Sequence, residues 1–284
     1  YKKSQILILL DSQDCQIKHE FMPMLQSIMK SNPVEKFIQD NYKPEDIIAY
    51  NIYNIANDSK HGELWETTIA SSIYSDLTEK LLEFIIHNSF KFNGIYFLSL
   101  EFESIIGAIL KIQNKTYCQN DLQIFATITE ASNIRIATKY KKNILYESTI
   151  EFPSEKSDLY IAGTIEQAIS DQILKYKTYA KSLDIKICLV FLCNKTLCDI
   201  FEKMPSLQVN KIITHNNNSR ISENGNAHFQ DSSLLELFMQ NKKYLASNKL
   251  LKSITMLTTI NSLLFKPLFL IVAGIVVFLS LLED

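Results

Sequence analysis

Apolar and polar positions follow two rhythms along this chain, ahead of a long and almost entirely apolar run. Gln5–Leu10 (QILILL) is a continuous apolar stretch of strand length, followed by a turn at Asp11–Asp14. Cys15–Phe21 alternates loosely and is expected to return as the hairpin partner of that first strand. Pro33 opens a short helix, Val34–Tyr42, with Val34, Phe37, Ile38 and Asn41 spaced for one face, and Pro44 ends it. Ile47–Ile55 and Leu64–Ser72 are strand-like, with the polar loop Asn57–Gly62 between them. Asp76 and Glu79 form a D-x-x-E capping pattern, and the helix behind them carries Leu77, Leu81, Phe84 and Ile85 on one apolar face. Asn93–Gly94 then turns the chain into a short buried strand, Ile95–Leu98, and a helix over Glu101–Ile112 follows at once. Strand, helix, strand, helix with short connections is an α/β signature.

From Asp121 the rhythm changes. Leu122–Ile128, Asn133–Lys139 and Ile144–Phe152 read as three consecutive strands whose tight spacing predicts an antiparallel meander. Asp158 is placed to cap a long helix, Leu159–Leu183. Its apolar stripe is Ile161, Ile165, Ile169, Ile173, Tyr176, Ala180 and Leu183, and steps of three and four residues keep one face turned inward. Ile185–Leu192 is a nearly continuous apolar strand, suited to a sheet covered on both sides. Lys195–Lys203 reads as a helix, Leu207–Thr214 as a strand, His215–His228 as a polar loop, and Ser232–Lys243 as a helix.

Leu263–Leu282 (LLFKPLFLIVAGIVVFLSLL) contains one charge, Lys266, near its entry. Twenty helical residues at about 1.5 Å each span roughly 30 Å, the hydrocarbon thickness of a bilayer, so this run is expected to be a transmembrane helix. Lys242, Lys243, Lys249 and Lys252 stand upstream of it and Lys266 within its start, and Glu283 and Asp284 follow it. Lysines flanking a span favour the cytoplasmic side, so the large N-terminal part is expected to face the cytoplasm behind a single span. The chain starts at Tyr1 and stops just after the run, so it reads as a fragment to which a far-side domain would be joined. Tyr1–Leu10, with two lysines and a short apolar stretch, does not read as a signal peptide.

Composition narrows the chemistry. A net charge of −2 gives nucleic-acid binding no electrostatic support. The six glycines stand alone at positions 62, 94, 107, 163, 225 and 274, and neither G-x-x-x-x-G-K-[ST] nor G-x-G-x-x-G occurs. H-E-x-x-H and G-x-S-x-G are absent, and no two of the five histidines are four residues apart. Cys15, Cys118, Cys188, Cys193 and Cys198 include no C-x-x-C pair, so neither a disulfide framework nor a zinc site is expected, and Cys188 and Cys193 read as small core residues. Asp11, at the end of the first strand, and Glu130, at the first turn of the meander, are the candidate cofactor-binding residues, each also good turn chemistry. Glu101 and Glu103 open a helix, where its dipole favours carboxylates, and Ser99 stands at a strand-to-helix turn without the glycines of a nucleophile elbow. No catalytic residue, metal or cofactor is assigned.

The passage FNGIYFLSLEFESIIGAIL (Phe92–Leu110), the meander to Phe152, the helix segment IEQAISDQILKY (Ile165–Tyr176) and the terminal apolar run together resemble a known family. It is that of the actin-like inner-membrane platform proteins of type II secretion and type IV pilus assembly. The resemblance implies an α/β, actin-like (ribonuclease H-like) two-subdomain fold with mixed sheets, plus one C-terminal transmembrane helix. Boundaries are expected at 1–118 and 119–248 for the two subdomains and 249–284 for the juxtamembrane helix and span. Actin-like ATPases place a D-x-G turn at each of two hairpins; here the turns are Asp11-Ser12-Gln13 and Thr129-Glu130-Ala131-Ser132, without glycine. The resemblance therefore implies the fold without ATP hydrolysis. The expected role is a scaffold that binds protein partners, among them a secretion or pilus motor ATPase and other platform subunits, at a membrane and without nucleic acid; a homodimer is compatible with it. The alternatives are a membrane-tethered nucleotide-binding enzyme with an unrecognised site, or a tail-anchored interaction protein.

Overall fold

The computed structural model describes residues 5–11, 15–23, 32–58, 62–88, 90–129, 133–151, 157–182, 184–193, 195–203, 211–216, 232–246, 251–256 and 258. They form two compact units, one built from the chain up to Leu98 together with the chain from Tyr244 onward, the other from Ser99–Lys243.

The first unit contains β1 (Gln5–Leu10), β2 (Gln16–Pro23), α1 (Pro33–Asn41), β3 (Ile47–Asp58), β4 (Gly62–Ser72), α2 (Asp76–His87) and β5 (Lys91–Phe97). β1 pairs in parallel with β5, while β2, β4 and β3 form an antiparallel sheet in that order. The hairpin expected between β1 and β2 is thus replaced, among the described residues, by pairing of β2 with β4 from Gln16↔Ser71 to Pro23↔Leu64. Patterning explains the exchange. The unbroken apolar run of β1 matches β5, whose Phe92, Ile95 and Phe97 are buried. The alternating side chains of β2 match the alternation in β4, so pairs such as His19↔Thr68 meet on one face. α1 is capped by Asn32, whose side chain accepts from the Val34 amide at 3.0 Å, and Pro33 follows at the first helical position. Its Val34 joins Met22, Ile48 and Ile69 in a small core.

Asn93–Gly94 is not the expected turn but lies inside β5. The register slips between Ile6↔Phe92 and Ile8↔Ile95, so β5 carries an extra residue there, and Gly94 absorbs the bulge at φ +107°. A Cβ at Gly94 would run into the side chain of Leu245. That neighbour is present because the chain returns along β5: Tyr96 and Leu245 form an antiparallel bridge, and the Ala246 amide donates to the Ile95 carbonyl at 2.8 Å.

The second unit contains α3 (beginning at Leu98 and ending at Ile112), β6 (Leu122–Thr129), β7 (Asn133–Tyr140), β8 (Asn143–Glu151), α4 (Asp158–Ser182), β9 (Ile187–Cys193), α5 (Lys195–Glu202), β10 (Lys211–Asn216) and α6 (Ser232–Asn241). One five-stranded sheet has the order β10-β9-β6-β7-β8. The meander β6–β7–β8 is antiparallel, as its spacing predicts, and β9 and β10 run parallel to β6. One sheet face is apolar: Leu122, Ile124, Ile134, Ile136, Leu189 and Phe191 pack with Ile161, Ile165, Ile169 and Ile173 of α4. The inward stripe of α4 is therefore the expected one, with Tyr176 half-buried and its hydroxyl donating to the Leu145 carbonyl at 3.2 Å; Leu183 lies outside the described residues. The cap is Ser157, not Asp158: Ser157 Oγ accepts from the Tyr160 amide, its carbonyl accepts from Ile161, and Asp158 is the first helical residue. Cys188 and Cys193 are buried, as core residues should be.

Residues 204–210 and 217–231, hence most of the expected 215–228 loop, lie outside the described residues, as does the expected span at 263–282. Residues 251–256 are helical. Among the described residues no helix is long and apolar enough to cross a membrane.

Candidate functional site: a buried polar face and an exposed apolar helix

Asp11 directly follows β1 and is half-buried, whereas Glu130, between β6 and β7, lies outside the described residues. The groups that the structure does bring together occupy the other face of the five-stranded sheet. Strand alternation points Gln123, Phe125 and Thr127 of β6, Arg135, Ala137 and Lys139 of β7, and Glu147 and Thr149 of β8 away from α4. Phe125 meets Phe102 of α3, with ring centroids 5.3 Å apart.

This polar face is tightly bonded. Arg135 Nη1 lies 3.4 Å from Glu147 Oε1 and donates to Thr149 Oγ1, and Ser99 Oγ donates to the same Glu147 oxygen at 2.8 Å. Lys139 Nζ, in a residue only 3% exposed, donates to Gln123 Oε1 at 3.0 Å, and Gln123 Nε2 donates to the Cys118 carbonyl. Burial pulls the Lys139 amine down to about 8, with Glu103 acting against that drop and Lys243 adding to it. Glu101 is fully buried; both its carboxylate oxygens accept from the Lys243 backbone amide at 3.0 Å, and Oε2 also accepts from Ser104 Oγ at 3.0 Å. Lys243 Nζ closes the set on Glu103 Oε2 at 2.9 Å.

Chemically the arrangement fixes one strand and helix against another. Ser99 is a donor to a carboxylate already held by arginine, and Glu101 spends its acceptor capacity on a backbone amide and a neighbouring hydroxyl. Neither is poised as a nucleophile or a base toward solvent. Among the described residues no group of three or more His, Cys, Asp and Glu side chains is placed to hold a metal ion. A shallow groove of about 540 Å³ runs between Ile150 of β8 and the first turns of α4, where Leu159, Tyr160 and Ala168 line it. Its Gln167 donates to Asp171 and its Thr164 to the Tyr160 carbonyl, so those polar groups are satisfied within the helix.

α2 presents the opposite situation. Its sequence holds two overlapping stripes one residue apart, 77/81/84 and 78/82/85. The structure buries Thr78, Leu82 and Ile85, and leaves Leu77, Leu81 and Phe84 exposed by 77%, 39% and 54%. The expected apolar face is thus the outer one, apart from Ile85. The cap decides: Ser75, not Asp76, caps the helix, accepting from the Thr78 amide at 3.3 Å, with the two hydroxyls 3.1 Å apart. That pair turns Thr78 inward and rotates Leu77 out. Ile73, just before the helix, is exposed too, and Phe90 packs against Phe84 with centroids 5.9 Å apart. Leu77, Leu81 and Phe84 thus share one exposed face of the helix.

No family model and no curated protein matches the chain. Solved structures do. One chain of a PilM–PilN type IV pilus biogenesis complex aligns over 84% of this chain and 80% of its own length, with a TM-score of 0.50 and 9% identity. The fold is actin-like. A Bacteroides thetaiotaomicron protein of unknown function with an actin-like ATPase fold aligns over 76% of this chain and 69% of its own, at a TM-score of 0.33 and 15% identity. At 9% identity the first likeness establishes architecture and nothing about activity. In an actin-like frame the polar face of β6–β8 was the part that sequence reasoning missed. The signal was there in alternate positions: Gln123, Arg135, Lys139 and Glu147 interrupt strands whose other face is mostly apolar, with Thr138 and Ser148 the exceptions in β7 and β8.

Proposed function

We propose that this chain is a membrane-anchored cytoplasmic scaffold of a bacterial envelope assembly, a secretion or pilus platform, that recruits protein partners and does not hydrolyse ATP. The observation that carries this reading is the outer face of α2, where three large apolar side chains at i, i+4 and i+7 are offered to solvent. Such a stripe suits packing against an amphipathic segment of another protein. The occupant we assign to it is an amphipathic segment of a partner subunit of the assembly, a choice supported by the actin-like fold shared with a chain solved within a two-protein pilus complex. The glycine-free turns at Asp11–Asp14 and Thr129–Ser132 support the non-hydrolytic half of the reading, since phosphate cradles depend on closely approaching backbone amides. Residues 263–282 supply the anchor in this proposal, and the lysines before them set the N-terminal units in the cytoplasm.

The test is a calorimetric titration of the detergent-solubilised full chain with ATP and magnesium, paired with a phosphate-release assay. The scaffold reading expects no heat and no turnover at millimolar nucleotide. Saturable binding with turnover that falls on Asp11→Ala or Glu130→Ala would replace it with the tethered-enzyme reading.

A further inference from the structure

Cys193 is the last residue of β9 and Cys198 the fourth residue of α5, and the strand-to-helix turn between them folds their sulfurs to 3.3 Å. A disulfide bond is about 2.05 Å long, so about 1.3 Å of approach separates this dithiol from a bond. The two elements are clamped together beside it: Phe191 of β9 and Phe201 of α5 stack with centroids 4.1 Å apart and planes at 3°. We propose that Cys193 and Cys198 are a reversible oxidation site, which hydroperoxides close to an intramolecular disulfide and dithiols reopen.

The chemistry balances within the pair and its oxidant. The Cys198 thiolate attacks one peroxide oxygen, the O–O bond breaks, and Cys198 becomes a sulfenic acid as the other oxygen takes up the proton that the thiol gave up and leaves as water (as an alcohol from an organic hydroperoxide). The Cys193 sulfur then attacks Cys198 Sγ, loses its proton, and expels the hydroxyl as a second water. Two thiols are oxidised by two electrons and one peroxide is reduced. The roles follow from the pair's asymmetry. The two sulfurs share one hydrogen bond, which pulls Cys198 below the usual thiol range against burial and the carboxylates of Glu202 and Asp199, and Cys198 Sγ also lies 3.6 Å from the Cys193 carbonyl. The same bond, with burial, pushes Cys193 up. A second thiol pair serves as the contrast. Cys118 and Cys188 also hydrogen-bond one another, but burial raises both, so neither is an activated attacker.

The experiment treats the native full chain with a molar excess of hydrogen peroxide, blocks remaining thiols, and maps peptides by mass spectrometry. The expected product has lost two hydrogens and links the peptides of Cys193 and Cys198, with Cys118 and Cys188 still alkylated; dithiothreitol restores both thiols. In Cys193→Ser, dimedone is expected to label Cys198. Should that variant fail to fold, the wild-type map decides alone. Native protein in which Cys193 and Cys198 stay alkylatable at a dose that oxidises Cys15, or in which the link forms at Cys118–Cys188 instead, overturns the proposal.

Discussion

Lys139 offers a quantitative check on the buried polar face. Its amine is almost fully enclosed, bonded to Gln123 Oε1 at 3.0 Å, and held at about 8 instead of 10.5. Between those values the unfolded chain binds the proton that the folded chain has shed, so stability must rise with pH across that window. At about 1.4 kcal/mol per pH unit of displacement, the folded state is about 3 kcal/mol less stable below pH 8 than it would be with a neutral amine. In Lys139→Met that penalty vanishes, while Gln123 Oε1 loses its donor at about 1–2 kcal/mol, so the variant should be about 1–2 kcal/mol more stable than the wild type near neutrality. Raising the pH from about 7.5 to about 10 should then stabilise the wild type by about 2 kcal/mol relative to the variant, roughly 1 M in urea midpoint. Tyrosines raised by burial, such as Tyr42 and Tyr176, titrate alike in both proteins and cancel in the difference. The assay is urea unfolding by circular dichroism over that pH range. Parallel curves would refute the reasoning, showing that the fold does not hold this amine below its ordinary value.

Ile169→Asp puts an unpaired charge at a fully buried position under the sheet and should cost about 4 kcal/mol or more; an unchanged melting curve would disprove the assigned core face of α4. Gly94→Ala places a side chain at φ +107° and against Leu245, and thermal unfolding should report a loss of about 1–3 kcal/mol. Ser75→Ala removes the α2 cap and should cost about 1 kcal/mol in chemical denaturation, whereas Asp76→Ala should cost less, because Asp76 is not the cap.

What the sequence made legible is what periodicity alone decides. The meander β6–β8 and the long α4 follow from two-residue alternation and from steps of three and four, because in both one face is apolar without competition. α2 was not decidable that way. Two stripes stand one residue apart, Leu77, Leu81 and Phe84 against Thr78, Leu82 and Ile85, and a capping contact between Ser75 and Thr78 turns the less apolar one inward. The same holds for Gly94, where an Asn-Gly pair that is ordinary turn chemistry serves a bulge instead, set by the register against β1. Asp11 and Glu130 read as turn residues from the sequence; Asp11 directly follows β1, and Glu130 lies outside the described residues. The buried face escaped notice for a different reason: its partners are distant in sequence, as with Glu101 and the Lys243 amide 142 residues on. Cys193 and Cys198 lie five positions apart, a spacing without a familiar motif, yet a strand-to-helix turn makes them neighbours.

The central claim, that α2 is where this actin-like chain meets its partner, is most directly tested by replacing Leu81 with a photoreactive phenylalanine analogue in the full chain and irradiating living cells. The account predicts a covalent adduct with a subunit of an envelope assembly, identified by mass spectrometry and abolished by Leu77→Asp with Phe84→Asp while the protein stays folded. An adduct that survives those substitutions, or no adduct from a folded and expressed chain, would contradict it.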